Sequence, residues 1–331
     1  MTAPLVSFVI PVRNDAERLK HCLQSIQANR LDGTELEVIV VDNESTDGSA
    51  DIARTLGARV LRSDASSVAT LRNIGAREAS GDILAFVDAD NEIVSGWVRA
   101  ALDTLRMPHV GAAGALYHAP SNGTWVQRTY GLLRGTPAGL RDVDWLGSGN
   151  IAVRRELFAE LAGFDGALTT CEDVDFSNRV RDAGYRILSN AAMKNVHHGD
   201  PETLWAVFQG ERWRGQDNLR VSFRSTLAWR ALPSVVIPIA DLMLIVAGLA
   251  GTAAAVIGVP AGLWVAIAAL ALVGAGALLR ALRVAFTEGT RHPLQLTQLW
   301  LVSCAYDLGR ALSLIARAPH RNVSAAMVPA R

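Results

Sequence analysis

The chain has 331 residues, half of them hydrophobic and only 19% charged, with 32 Lys+Arg against 32 Asp+Glu. This composition excludes intrinsic disorder, a collagen-like repeat and a coiled coil as descriptions of the whole. The zero net charge hides a division, because residues 1–200 carry 20 basic and 26 acidic side chains while residues 201–331 carry 12 and 6.

An acidic body argues against a nucleic-acid groove, and basic residues bracketing apolar stretches suggest an anionic membrane surface instead. Cys22, Cys171 and Cys304 lie far apart with no CxxC pair, which supplies neither a disulfide framework nor a zinc site and fits reduced, cytosol-facing thiols. The opening MTAPLVSFVIPVRND has an apolar stretch too short for a signal peptide and broken by Pro11, so the fold is expected to start with the first residues.

Leu5 to Val12 and Leu36 to Val41 are apolar runs, interrupted by Ser7 and Glu37, of the kind found in strands buried on both faces of a parallel sheet. Between them Leu19, Cys22, Leu23 and Ile26 mark one face of a helix. The alternation continues with a helix over Ala50 to Leu56, a strand over Ala58 to Leu61, a helix over Val68 to Ala79 and a strand over Ile83 to Val87. Carboxylates recur at the strand ends: Asp42 after the second, Asp88-Ala89-Asp90 after the fourth. In open α/β sheets that is where ligands bind, so these acids converge on one crevice. Two carboxylates past a buried strand suit a hard divalent cation that also binds phosphate oxygens, although an isolated DxD is more often a solvated turn. Asp42 alone could cap the next helix.

Further along, Glu172, Asp173 and Asp175 read as the acidic first turn of a helix through Phe176 to Ala183, or as functional carboxylates. A strand is expected near Arg186 to Leu188, followed by His197-His198-Gly199, which is a loop feature or a metal contact. Trp145 lines a pocket or belongs to the core. Thr203 to Trp213 reads as an amphipathic helix whose Trp205, Phe208, Trp213 and arginines rest on a membrane interface.

The 38 positions between Asp241 and Arg280 carry no charge, about twice the ~20 residues that cross a bilayer. Gly258-Val259-Pro260-Ala261-Gly262 interrupts them, giving spans over Val235 to Ile257 and Leu263 to Leu279. Arg220, Arg224 and Arg230 precede this hairpin and Arg280, Arg283 and Arg291 follow it, so both flanks and the body are expected in the cytosol. Asp241 sits near the cytosolic end of the first span. A third apolar segment, Leu294 to Ile315, carries Asp307 and Arg310 and precedes Arg317 and Arg321; it is either interfacial or a third crossing.

Four stretches, VSFVIPVRND, EVIVVDNESTDGS, LRNIGAREASGDILAFVDADN and GSGNIAVRRELFAELAGFDGALTTCEDVDF, resemble in order and spacing the successive motifs of GT-A family 2 glycosyltransferases. The resemblance implies an α/β fold with a Rossmann-like mixed sheet and C-terminal transmembrane helices after it. It implies transfer of a sugar from a nucleotide sugar, by default a UDP-sugar, with inversion and with Mg2+ or Mn2+ on the diphosphate. By motif, Pro11, Arg13, Asp42, Arg72, Asn73 and Asp88 fall on the nucleotide-sugar side, and Asp90 with Asp88 at the metal, His198 being a further candidate. Asp173 corresponds to the base, with Glu172 beside it. Trp145 and Asn150 fall on the acceptor side, as do Gln209, Arg212 and Trp213 of QGERW, which satisfies the QxxRW signature of processive synthases. Asn43 stands where an Asp is frequent. Processive synthases have membrane helices before the catalytic domain, whereas this chain starts on its first strand. The expectation is therefore a single transfer to a lipid-linked acceptor at the inner membrane, with a processive synthase or a non-catalytic scaffold as alternatives. The expected limits are 1–215 for the catalytic domain, 216–234 for an interfacial linker, 235–286 for the hairpin and 287–331 for the third helix and tail.

Overall fold

The computed structural model describes residues 5–135, 139–224, 232–290 and 292–316. In chain order the elements are β1 (Leu5–Val12), α1 (Ala16–Gln27), β2 (Glu35–Asp42), α2 (Ser49–Thr55), β3 (Arg59–Arg62), α3 (Val68–Glu78), β4 (Ile83–Val87), β5 (Asn91–Ile93), α4 (Trp97–Leu105), β6 (Val110–Gly114), β7 (Tyr117–His118) and α5 (Trp125–Arg134). They continue as β8 (Leu140–Asp142), β9 (Asn150–Arg154), α6 (Arg155–Glu160), α7 (Glu172–Asp182), β10 (Arg186–Asn190), β11 (Asn195–His197), α8 (Leu204–Arg214), α9 (Asn218–Ser222), α10 (Leu232–Val256), α11 (Pro260–Thr287) and α12 (Pro293–Leu312). The chain divides into two compact units, the first built on residues 1–120 and 136–199, the second on 121–135 and 200–320. Thus α5 and α8 group with the C-terminal helices rather than with the sheet.

The first unit is a mixed eight-stranded sheet in the order β3-β2-β1-β4-β9-β6-β10-β8. β1 is apolar save for Ser7, whose hydroxyl is bonded to Glu37, because it lies between β2 and β4, parallel to both, with helices on both faces. Its side chains alternate between two cores: Val6, Phe8, Ile10 and Val12 join the α1 and α4 side, Val9 the α3 and α7 side. Pro11, which has no N–H to give, sits beyond Val9, where the ladder to β4 has ended. β9 then enters antiparallel to both β4 and β6, so the half of the sheet after β4 departs from pure βαβ alternation. A second sheet, β5-β11-β7, is made of strands of two or three residues, too short for any hydrophobic period to reveal.

In the second unit α10 and α11 are long and apolar enough to cross a membrane. Only 17% and 22% of their most apolar windows are buried, whereas the core helix of a soluble protein is mostly buried. The crossing is close because it is made of glycines: a Cβ on Gly251 would lie 2.7 Å from the Gly262 carbonyl, and one on Gly262 2.4 Å from that of Gly251. The second helix starts earlier and runs further than expected, from Pro260 to Thr287. Pro260 stands in the first turn, where its missing N–H costs nothing, and Arg280 is accommodated by Asp307 of α12 at 2.7 Å. α12 is tied to its own unit through Arg310, whose Nε donates to Glu211 of α8 at 2.6 Å. The flanking residues Arg230, Arg291, Arg317 and Arg321 lie outside the described residues.

Candidate active site

The ends of β1, β2 and β4 set out the first half of the site. Asp42 closes β2 and is fully buried; its Oδ1 accepts from the Ser45 N–H at 3.3 Å, while Oδ2 is buried with no hydrogen-bond donor among the described residues. Arg62 approaches that oxygen only to 4.0 Å. A buried carboxylate oxygen without a donor is costly in an isolated protein and is the kind of atom a ligand N–H satisfies. Asn43 is fastened to the loop after β3 by bonds to the Ser63 and Ala65 carbonyls, and its Oδ1 accepts from exposed Arg13 at 3.3 Å.

Asp88 and Asp90 follow β4. Asp88 Oδ1 accepts from Arg72 Nη2 at 2.5 Å, and the other arm of the same guanidinium donates to Glu172 Oε1 at 2.9 Å. Arg72 is 3% exposed, so it is an internal tie between the DxD loop and the start of α7 rather than a free nucleotide contact. Asn73, also expected on the nucleotide side, is turned the other way: its amide exchanges two hydrogen bonds with the Phe164 backbone and so pins the Gly163-Phe164-Asp165 turn.

His197, not His198, stands beside Asp90, with Nε2 3.5 Å from Oδ2. His198 points to Glu92, 2.7 Å away. His197 is the last residue of β11 and His198 the first of the turn that follows, so the two side chains leave in different directions. Burial and nearby Asp88 push the Asp90 carboxyl above its usual range, and His197 offsets part of that. Among the described residues no three His, Cys, Asp or Glu are placed to hold a metal ion by themselves. The donor set therefore fits a hard cation held by one or two carboxylates and completed by phosphate oxygens, and not an all-protein cage.

The other half of the site is the N-terminus of α7. Cys171 adopts φ 62° to turn the chain into the helix, and Glu172, Asp173 and Asp175 form its first turn. The acidic run is thus a helix start, but its members are not equivalent. Asp175 is paired with Arg179, and Glu172 accepts from Arg72 and from Ser148 Oγ at 2.9 Å. Asp173 accepts from the Val174 N–H at 2.8 Å and is pushed up to about 7 by burial and by the neighbouring Glu172 charge.

Four further residues take a place at the site, of which only Tyr117 lies outside the stretches singled out in the sequence. Tyr117 accepts from the Gly149 N–H at 3.1 Å and stacks near His197, ring centroids 5.1 Å apart. Its hydroxyl is raised well above its usual range by burial and then by the charges of Asp88 and Asp173, which puts both halves of the site within its electrostatic reach. Gly149 and Gly199 let these carboxylates lie close to the backbone, since a Cβ would lie 2.1 Å from Asp88 Oδ2 in the first and 1.9 Å from Asp90 Oδ2 in the second and would displace them. His197 is the fourth. Asn150, expected on the acceptor side, is fully buried: its Oδ1 accepts from Trp97 Nε1 at 2.8 Å and its Nδ2 donates to Ala115, Met193 and Asn195. It is a core brace. Trp145 is 46% exposed on the first unit. Gln209, Arg212 and Trp213 lie on α8 of the second unit.

A mixed sheet with carboxylates at the ends of β2 and β4 is the arrangement of a GT-A-type fold. Residues 7–161, a little under half of the chain, match the model of glycosyl transferase family 2. Glycosyltransferase AglE of Haloferax volcanii is 28% identical over 200 residues, covering 56% of this chain and 64% of that protein. The O-antigen biosynthesis protein RfbC of Myxococcus xanthus is 27% identical over 59% of this chain and 17% of its own length. The match thus spans less than two thirds of either relative. Among solved structures, the mannosyltransferase PcManGT from Pyrobaculum calidifontis in complex with GDP-Man and Mn2+ has a TM-score of 0.57 at 22% identity, covering 92% of this chain and 87% of its own. GalNAc-T7 with UDP, GalNAc and Mn2+ has a TM-score of 0.50 at 17% identity, over 68% and 52%. These likenesses establish the fold.

Proposed function

We propose that the protein transfers one sugar, with inversion, from a nucleotide-sugar donor, by default a UDP-sugar, to a hydroxyl of a lipid-linked acceptor at the cytosolic face of the inner membrane. The observation that carries this is Asp173, a carboxylate with its affinity for protons raised to about 7 at the mouth opposite the DxD loop. An acceptor hydroxyl needs a base poised near the working pH, whereas an acceptor that is already ionised, such as a polyprenyl phosphate, does not.

In this reading the donor-less Oδ2 of Asp42 accepts an N–H of the nucleobase, and Arg13 and Pro11 border the same base. Asp90, with Asp88 behind it and His197 alongside, holds Mg2+ or Mn2+; when bound, the cation supplies Lewis-acid neutralisation of the diphosphate leaving group. Arg72 keeps Asp88 and Glu172 in register, and Glu172 keeps Asp173 protonatable near neutrality. Asp173 takes the proton of the attacking hydroxyl as its oxygen approaches the anomeric carbon from the face opposite the diphosphate. Trp145 is a wall for the sugar or acceptor, and Gln209, Arg212 and Trp213 are carried by the membrane-side unit. The apolar hairpin supports an acceptor presented at the bilayer, because a soluble acceptor needs no anchor.

The test is nucleoside diphosphate release by the full chain in detergent or bilayers with a panel of UDP-, GDP- and dTDP-sugars, with and without bacterial lipid extract. Lipid-stimulated release that chelator and Asp173→Asn both abolish is expected. Release undiminished by removing lipid would count against the lipid acceptor, and nucleotide binding without turnover under every condition would favour a scaffold.

A further inference from the structure

Helix α8 is built inside out. Val207, Glu211 and Gly215 succeed one another at four-residue spacing and are buried, so the seam that faces the rest of the second unit contains a carboxylate with no solvent exposure. That carboxylate is fully engaged: it accepts from Tyr130 Oη of α5 at 2.5 Å, from Arg310 Nε of α12 at 2.6 Å and from Arg214 Nη1 at 3.2 Å. Burial works to raise its pKa, but Arg310, Arg214 and the Tyr130 bond outweigh burial and hold it below the usual carboxylate range. The seam is also close, since a Cβ on Gly309 of α12 would lie 2.6 Å from the Phe208 carbonyl.

A neighbouring stripe, about a quarter turn round the helix from that seam, carries the aromatics. Trp205 is 65% exposed and stacked on Phe208, with ring centroids 5.1 Å apart, and the Arg212 guanidinium lies 6.0 Å from the Phe208 ring. Positions 205, 208 and 212 follow at three- and four-residue spacing, one continuous ridge. Just beyond α9, Phe223 is 70% exposed. A helix facing water places its charge outward and its rings inward. This one does the reverse, and a stacked indole and phenyl ring beside a guanidinium is the side-chain set of a membrane–water boundary.

We infer that the Trp205–Phe208–Arg212 ridge of α8 docks in the headgroup layer of an anionic bilayer, with Glu211 as the positioning residue that fixes the roll of the helix. The occupant follows from continuity and charge: the ridge belongs to the same unit as the α10–α11 hairpin, and residues 201–331 carry 12 basic against 6 acidic side chains. The inference rests on the reading of α10 and α11 as membrane spans and adds a second contact. It would make α8 report the membrane surface to the residues it carries, Gln209, Arg212 and Trp213.

The experiment uses the full chain in phosphatidylglycerol and phosphatidylcholine bilayers whose lipids are brominated near the headgroup or near the chain terminus. The Trp205 emission is obtained as the difference between wild type and Trp205→Phe, and that of Trp264, 71% exposed on α11, from Trp264→Phe. Trp205 emission is expected to lose about half its intensity or more to shallow bromines, little to deep ones, and more in phosphatidylglycerol than in phosphatidylcholine. Glu211→Gln is expected to remove most of that quenching while leaving Trp264 quenched.

Trp264 quenched with Trp205 unaffected would overturn this inference alone, whereas Trp264 unaffected at both depths would remove the membrane reading beneath it. Trp205 shielded from aqueous acrylamide but not quenched by bromine, in a protein that cross-links to a second copy, would make the ridge a contact between copies and overturn lipid docking. An unchanged Trp205 signal in Glu211→Gln would overturn the positioning role.

Discussion

Asp173 and Glu172 are adjacent in the sequence and differ in what surrounds them. Glu172 has Arg72 and Ser148 as donors, while Asp173 has backbone N–H donors and a charged neighbour. If Asp173 is the base, activity must rise with pH as it loses its proton, so the acid limb of kcat/KM should have its midpoint near 7. Glu172→Gln removes the like charge, which stabilises the Asp173 carboxylate, and the limb should move to lower pH. A limb that stays in place, or moves up, would refute the electrostatic account. Asp173→Asn should lower turnover by about a thousandfold or more at every pH while nucleotide binding persists. Gly199→Ala, which drives a methyl group into Asp90, should weaken Mn2+ binding measured by calorimetry and lower activity without changing the circular dichroism spectrum. The identities of Asp42, Asp88, Asp90 and Asp173 stand out in the sequence because strand ends and motif order mark them. The true partners of Arg72, Asn73 and Asn150 do not, because a motif records that a residue is present and not which way its side chain faces.

At the scale of elements, hydrophobic period was informative where an element is long and one-sided. α1 was legible for that reason, while β1 and β2 stood out as apolar runs of strands buried on both faces. The three-residue strands β5 and β11 were not, yet they bring His197 to Asp90. Asn150 shows how such irregular parts are held, since one amide joins β9 to Trp97 of α4 and to the β11 segment. Asn150→Ala should lower the unfolding free energy by about 3 kcal/mol, because several buried donors and acceptors lose their partner at once; the shift in the denaturation midpoint measures it. In the hairpin, Gly262→Val should lower the thermal stability of the detergent-solubilised protein, because the side chain would have to displace the α10 backbone, and Gly276→Val, which meets no atom within 4 Å, should not.

For the whole molecule, the charge division and the 38-residue uncharged run lead to a concrete expectation. The protein should sediment with membranes, resist extraction by high salt and carbonate, and be released by detergent. Release by salt alone would show that α10 and α11 are not inserted. By itself the sequence determined the alternating α/β body, the carboxylates at its strand ends and the apolar hairpin, because these are local: each depends on composition and period within one segment or on order along the chain. Only the tertiary structure decided that β9 enters the sheet antiparallel, that His197 rather than His198 meets Asp90, that Arg72 is an internal tie and that Glu211 faces inward on α8. Those outcomes depend on which distant segments pack together, and a buried charge is acceptable only where partners more than 80 residues away in the chain arrive to meet it, as Tyr130 and Arg310 do at Glu211.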